Sequence, residues 1–184
     1  MYKIHELADV QTQNIGEGTR IWQFVVILKE AQIGKNCNIN CHCFVENDVI
    51  IGDNVTLKSG VYIWDGIRIA NHVFIGPNVT FVNNPKPRSQ HYPEKHIGAN
   101  IEEGVSIGAN ATIMGNLTIG KYALIGAGSV VTKDIAPYTL WYGNPAEHKG
   151  FVTKEGKTLS LDLKEKTTGH EYFFSETNEL LPLK

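Results

Sequence analysis

Net charge, cysteine and long apolar runs are all in short supply in this chain of 184 residues, and each shortage closes off a class of protein. A formal net charge of −2 offers no field that would gather nucleic acid or an anionic membrane surface. No apolar stretch approaches the roughly 20 residues that a membrane-spanning helix needs. The opening MYKIHELADVQTQ is polar and lacks the apolar core of a signal peptide. These absences predict a soluble, cytoplasmic protein without nucleic-acid or membrane partners. The three cysteines, Cys37, Cys41 and Cys43, are confined to one short stretch. Helical periodicity and ordinary alternation are missing as well.

What is present is a period of six. Stepping from Ile15 through Ile21, Ile27, Ile33, Ile39, Val45, Ile51, Leu57, Ile63, Ile69 and Ile75 to Phe81 meets an apolar residue every time. The register breaks once and resumes at Ile101, Ile107, Ile113, Ile119, Ile125 and Val131. A hexapeptide period is the mark of a parallel β-helix, in which each short face turns at a fixed position and three faces make a coil. Two residues before each anchor stands a smaller inward residue, such as Val25, Ala31, Val55, Val105 or Ala123. Cys37 and Cys43 fall in that small inward slot, so they read as buried thiols that pack as small hydrophobes. Glycine follows the anchor at 16, 34, 52, 76, 108, 120 and 126, where the corner needs either unusual backbone angles or close approach. The expected fold is all-β: a parallel β-helix of about six coils over 1–149 and an extension over 150–184.

In chain order, residues 1–14 read as a polar lead-in capping the open bottom of the coil. Arg20, Trp22 and Phe24 of RIWQF lie off the inward phase, and so does Trp64 beside Asp65 in YIWDG. Outward aromatics of this kind either bury against a neighbouring subunit or form a platform for a nucleotide base. Between Phe81 and Ile101 the step is twenty rather than eighteen, and the segment 82–100 reads as an ordered, proline-rich loop leaving the coil. It gathers Asn83, Asn84, Lys86, Arg88, His91, Tyr92, Lys95 and His96, and a long loop on a rigid scaffold is where binding groups tend to sit. Pro137 falls on the next anchor and is expected to end the register. The extension predicts a strand–turn–strand around Glu155-Gly156 and a second hairpin across residues 175–178.

The register and the ending GAGSVVTKDIAPYTLWYGNPA closely resemble the left-handed β-helix acyltransferases. Within them, RIWQF, GVYIWDG, GPNVTFVNNPKPRS, IGANATI and GAGSVVTKD resemble the nucleotide-sugar 3-N-acetyltransferases acting on dTDP-3-amino-3,6-dideoxyhexoses. The resemblance covers residues 1–150 and implies the left hand, a homotrimer with sites between subunits, acetyl-CoA as co-substrate and no metal. It implies an acetyl transfer to a dTDP-linked amino sugar destined for surface polysaccharide. By matching motifs it puts Asp65 and Asn83 at the reacting amine and Arg20 and Trp22 nearer the nucleotide. Asn84, Arg88, His91 and Tyr92 are the further substrate candidates. Gly108, Ala109, Gly126 and Ala127 are implied for the donor, with Lys133 and Pro145 towards its nucleotide end.

Acetyl transfer to an amine needs a neutral nitrogen, a polarised thioester carbonyl and a route for one proton. A neutral amine is already nucleophilic, so a strong general base is less necessary than for a hydroxyl. Asp65 and Asn83 can orient the amine, and a corner N–H at Gly108 or Gly126 can hold the oxyanion. Three rivals stand beside this reading. A loop histidine, His91 or His96, could act as base in an O-acetyltransferase. A β-helical zinc hydratase would need histidine ligands in register, and His42 and His72 have no fitting third partner. A non-catalytic β-helical scaffold would show a ladder of one polar type, which these varied faces lack.

Overall fold

The computed structural model describes residues 1–91 and 93–183. Strands of mostly two residues recur every six positions and stack into three parallel sheets, the faces of a β-solenoid. The first face climbs through Lys3–Ile4, Arg20–Ile21, Asn38–Ile39, Thr56–Leu57, Phe74–Ile75, Ser106–Ile107 and Leu124–Ile125. The second runs from Asp9–Val10 and Val26–Ile27 through Phe44–Val45, Tyr62–Ile63, Thr80–Phe81 and Thr112–Ile113 to Val130–Val131. Gln32–Ile33, Ile50–Ile51, Arg68–Ile69, Asn100–Ile101 and Thr118–Ile119 make the third. Anchor stacks on anchor in register, as Ile39 on Ile21 and Ile107 on Ile75.

The anchors of the hexad register are buried, Ile15 at the open lower end being half-buried. Burying one such side chain stabilises by about 1.5–3 kcal/mol, and one unbroken column of them forms the core. The small inward slot is filled as expected. Cys37 and Cys43 are buried free thiols whose Sγ atoms lie 3.1 Å from Gly52 O and 3.2 Å from Lys58 O. Burial pushes the Cys43 thiol up to about 11.

One expectation changes and three are sharpened. The lead-in is not a separate cap: Lys3–Ile4 and Asp9–Val10 pair in parallel with the coil above and make a lowest, incomplete turn. The loop replaces a single six-residue step, because Phe81 is on the second face and Ile101 on the third. The six-residue register stops at Pro137 as expected, but the coil does not: Ile135, four residues after Val131, is buried, bridges Ile119, and carries the coil on to Thr139–Gly143. The glycines directly after the anchors answer to close approach and not to backbone angle. The left-handed φ falls three residues after the anchor, at Asn36, Asn54, His72 or Asn78, whereas a Cβ on Gly16 or Gly34 would strike the backbone of the next coil.

The top of the solenoid passes into antiparallel structure. Thr139–Gly143 pairs with Ala146–Val152, which pairs with Thr158–Leu159, while Tyr172–Phe174 and Leu180–Pro182 form the second hairpin across the expected turn. Buried Tyr138, Leu159 and Leu180 anchor this extension, and Tyr138 stacks on Tyr122 at 5.2 Å.

Candidate functional site

Three corners join the faces, and the candidate residues divide between two of them. The corner from the first to the second face holds Trp22 low down and Gly108, Ala109, Gly126 and Ala127 in the upper coils. The corner from the second to the third face holds Asp65, Asn83 and the loop. Within one chain the structure does not bring the two sets together: they stand at opposite edges of the second face.

The loop corner is held by side chains reaching along the solenoid. Asp65 donates its N–H to Glu46 Oε2 at 2.6 Å, and its Oδ1 accepts from the Asp48 N–H at 2.7 Å. One carboxylate oxygen of Asp65 is therefore committed to capping the coil below. Asn83 Nδ2 donates to the Asp65 carbonyl at 3.0 Å, which fixes the carboxamide and turns Oδ1 into its remaining acceptor. The loop closes on itself here, Ile97 N–H donating to Asn83 O at 3.3 Å. Gly115 lies under that neck, and a Cβ there would come 2.5 Å from Ile97 O. Further out, Asn84 accepts from the Lys86 N–H, Arg88 donates to Pro87 O, and His91 N–H donates to Arg88 O. These three hold the loop's own backbone. Tyr92 lies outside the described residues. His96 is half-buried, and its Nδ1 is a buried side-chain atom without a hydrogen-bond partner among the described residues.

On the other corner the expected oxyanion donors are engaged elsewhere. Gly108 N–H donates to Ile125 O and Gly126 N–H to Trp141 O, each at 2.8 Å, as part of the ladder between coils. Gly108 and Gly126 therefore serve coil stacking. Tyr142 sits directly above Gly126 and is exposed, with Lys149 Nζ 5.8 Å from its ring centre. Pro145 lies in the turn after Tyr142, on the same corner. Lys133 instead follows the second face and reaches over the top of the coil to within 5.2 Å of the Trp141 ring centre.

Two surface features complete the picture. At the lower end, Lys3, His5, Arg20 and Trp22 line a pocket of about 310 Å³, and Trp22 Nε1 donates to Asn38 Oδ1 at 2.8 Å. Lys3 pairs directly beside Arg20, a placement that the reading of the lead-in missed and that only the strand pairing reveals. Along the second face, Phe24, His42, Phe44, Tyr62 and Trp64 line an open apolar depression of about 350 Å³. Tyr62 is 48% exposed and Phe24 50%, an unusual amount of aromatic surface for a rigid face. Among the described residues no group of three or more His, Cys, Asp or Glu is placed to hold a metal ion. No helix among them is long and apolar enough to cross a membrane.

Comparison with known proteins follows the same division. The family described as bacterial transferase hexapeptide (six repeats) matches residues 48–83 and 98–133, on either side of the loop. The dTDP-3-amino-3,6-dideoxy-alpha-D-galactopyranose 3-N-acetyltransferase of Aneurinibacillus thermoaerophilus is 58% identical over 149 residues, 81% of this chain and 78% of that protein. A stretch of that length necessarily takes in residues 36–149, hence the loop corner and the upper glycine corner. The galactoside O-acetyltransferase of Lactococcus lactis is 34% identical over 151 residues, covering 72% of each chain. A hexapeptide transferase family protein from Anaplasma phagocytophilum superposes with a TM-score of 0.58 at 18% identity, covering 84% of this chain and 81% of that one, and shares the fold.

Proposed function

The chain belongs to the bacterial hexapeptide-repeat transferases, and we propose that it moves an acetyl group from acetyl-CoA to the 3-amino group of a dTDP-linked 3-amino-3,6-dideoxyhexose. The observation that carries this reading is the 58% identity to an enzyme named for that reaction, across both candidate corners. The chemistry asks little of the protein beyond placement. A neutral amine attacks the thioester carbon, the C–N bond forms, the C–S bond breaks, and the surplus amine proton leaves with the thiolate sulfur. Asn83 Oδ1 accepts a hydrogen bond from the amine and aims its lone pair, and Asp65 is the positioning residue that holds the Asn83 carboxamide. Holding two reactants in attack geometry is worth several kcal/mol of barrier by itself. Arg20 and Trp22, joined by Lys3, take the nucleotide of the acceptor in the lower pocket. Donor contacts fall to the upper corner with Ala109 and Ala127, and to Pro145 and Tyr142 above them.

Because the two corners are apart in one chain, the working unit is a cyclic homotrimer in which one subunit's loop meets the next subunit's glycine corner. The exposed aromatic depression on the second face lies between those corners and supports this arrangement, since an apolar patch on a rigid face marks an interaction surface. A thiol-release assay with acetyl-CoA and a panel of nucleotide-linked 3-amino and 4-amino sugars tests the reading. Turnover is expected with dTDP-linked 3-amino sugars, and no turnover with any amine in the panel would sink it. The unpartnered Nδ1 of His96 favours one second reading, O-acetylation with a histidine base. Hydroxylated acceptors in the same assay discriminate it: transfer to hydroxyl alone, lost in His96→Ala, would replace the amine reading.

A further inference from the structure

The Asp65 carbonyl on which Asn83 leans shares one peptide group with the Gly66 N–H, and that peptide is held at both ends. Its carbonyl takes Asn83 Nδ2 at 3.0 Å, and its N–H donates to Asp48 O in the coil below at 2.9 Å. The Asp48 N–H donates back to Asp65 Oδ1 at 2.7 Å, so the two coils are joined twice here. Arg68 then grips Asp48 with its fork. Nη1 donates to the Asp48 carbonyl and Nη2 to the Asp48 carboxylate, while Nη1 also reaches Ile67 O at 3.0 Å. Asp48 is thereby fixed by backbone and side chain at once. Above the peptide the loop returns to the coil: a Cβ on Gly66, whose φ is +87°, would lie 2.8 Å from Gly98 N and 2.9 Å from His96 O.

An ion pair in this position contributes little to stability, because solvent screens it: the side chains of Arg68 and Asp48 are 38% and 59% exposed. The coil repeat does not call for it either. The residues standing before the third-face anchors are Gln32, Ile50, Arg68, Asn100 and Thr118, and only Arg68 among them is charged. It stands in the coil directly below Asn83, and its guanidinium turns back to the loop corner. Arginine suits that task, because its planar fork holds two acceptors in one geometry, whereas an ammonium is a single point of charge.

We infer that Arg68 is a positioning residue for the transfer: by clamping Asp48 it fixes the peptide between Asp65 and Gly66, and through that peptide the Asn83 carboxamide that receives the reacting amine. The inference rests on the acyl-transfer reading above. Among the described residues the Asn83 side chain has one tether, the Asp65 carbonyl, so whatever moves that carbonyl moves the acceptor. The effect of Arg68 is on the angle and distance at which Asn83 Oδ1 faces the amine. A displacement of about 1 Å at a reacting group can cost roughly a hundredfold in rate. Donor binding lies outside this chain of bonds, because the glycine corner stands at the opposite edge of the second face.

Steady-state kinetics with acetyl-CoA and the amino-sugar acceptor test this in two backgrounds. Arg68→Ala should lower kcat about tenfold, short of the full cost of a misplaced reactant, with the KM for acetyl-CoA unchanged. In a protein already carrying Asn83→Ala, the same substitution should change kcat by less than about twofold, because residues acting through one another are not additive. Wild-type kcat in Arg68→Ala overturns the inference. An equal loss in both backgrounds does so too, since that is what a merely structural role would give. Should Arg68→Ala fail to fold, Arg68→Lys, which keeps the charge without the fork, is judged by the same two criteria. Nitrogen-15 spectra of the intact protein add a readout that needs no turnover. The Asn83 carboxamide signals, identified by their loss in Asn83→Ala, should shift in Arg68→Ala. Gly66 N–H exchange should quicken about five- to tenfold, the scale of one hydrogen bond. If no amino sugar proved to be an acceptor, unmoved Asn83 signals with unchanged Gly66 exchange would still overturn the clamp, and the expected changes would uphold it, apart from the proposed reaction.

Discussion

The carboxamide of Asn83 donates through Nδ2 to the Asp65 carbonyl, which leaves Oδ1 as the acceptor presented at the loop neck. Replacing it by alanine should lower turnover roughly a hundredfold, a typical loss for a misplaced reactant, with the oligomer unchanged by mass. His91→Ala should cost far less, because His91 is exposed and, among the described residues, only its backbone is engaged. If steady-state kinetics reversed that order, a histidine would carry the reaction. In the core, Ile113 is fully buried on the second face between Phe81 and Val131. Ile113→Asp would seat a carboxylate with no partner in an apolar column, and thermal unfolding should show a severe loss of stability. An unchanged melting temperature would contradict the inward register.

Corners and extension set what the elements can do. Gly34 packs against Gly52 of the next coil so closely that a side chain would strike its carbonyl. Gly34→Ala should destabilise by about 1–3 kcal/mol, as overpacking does, while Gly128→Ala, whose Cβ would meet nothing, should cost only the strain of its positive φ. Chemical denaturation of the two variants checks the ranking, and equal losses would deny the close-approach account of the corners. The extension is pinned at a different corner from either candidate set, through Leu180 and Leu159 on Tyr138. Leu180→Ala should therefore lower stability by about 2–5 kcal/mol and leave the KM values of both substrates unaltered. A raised KM for either substrate would place the extension in the site.

At the scale of the whole molecule, the proposed shared site needs a second chain to bring a loop corner to a glycine corner. Two variants test it: Asn83→Ala disables the loop, and Ala127→Trp blocks the donor corner. Each alone should be nearly inactive. Random co-assembly puts about three quarters of trimers in mixed form, each with one interface where both elements are intact, so recovered activity should be about a quarter of wild type. Mixed trimers verified by mass with no recovered activity would place a complete site on one chain.

The period of six was enough to establish the solenoid, its core, the buried thiols and the place where the loop leaves. Inward orientation depends only on a residue's own phase, and phase is local to the sequence. The corners were not legible in that way. Whether a glycine serves angle or approach, and which backbone N–H is left unbonded, depends on a residue a whole coil away and on whether its side chain carries an oxygen. Sequence reasoning therefore chose Gly108 and Gly126 as oxyanion donors, while the stacked coils engage both. The two ends escaped for a related reason. Ile4, Val10 and Ile135 keep the coil going through steps of five or four residues that a strict period of six rejects, and only pairing with Ile21, Ile27 and Ile119 identifies them as coil.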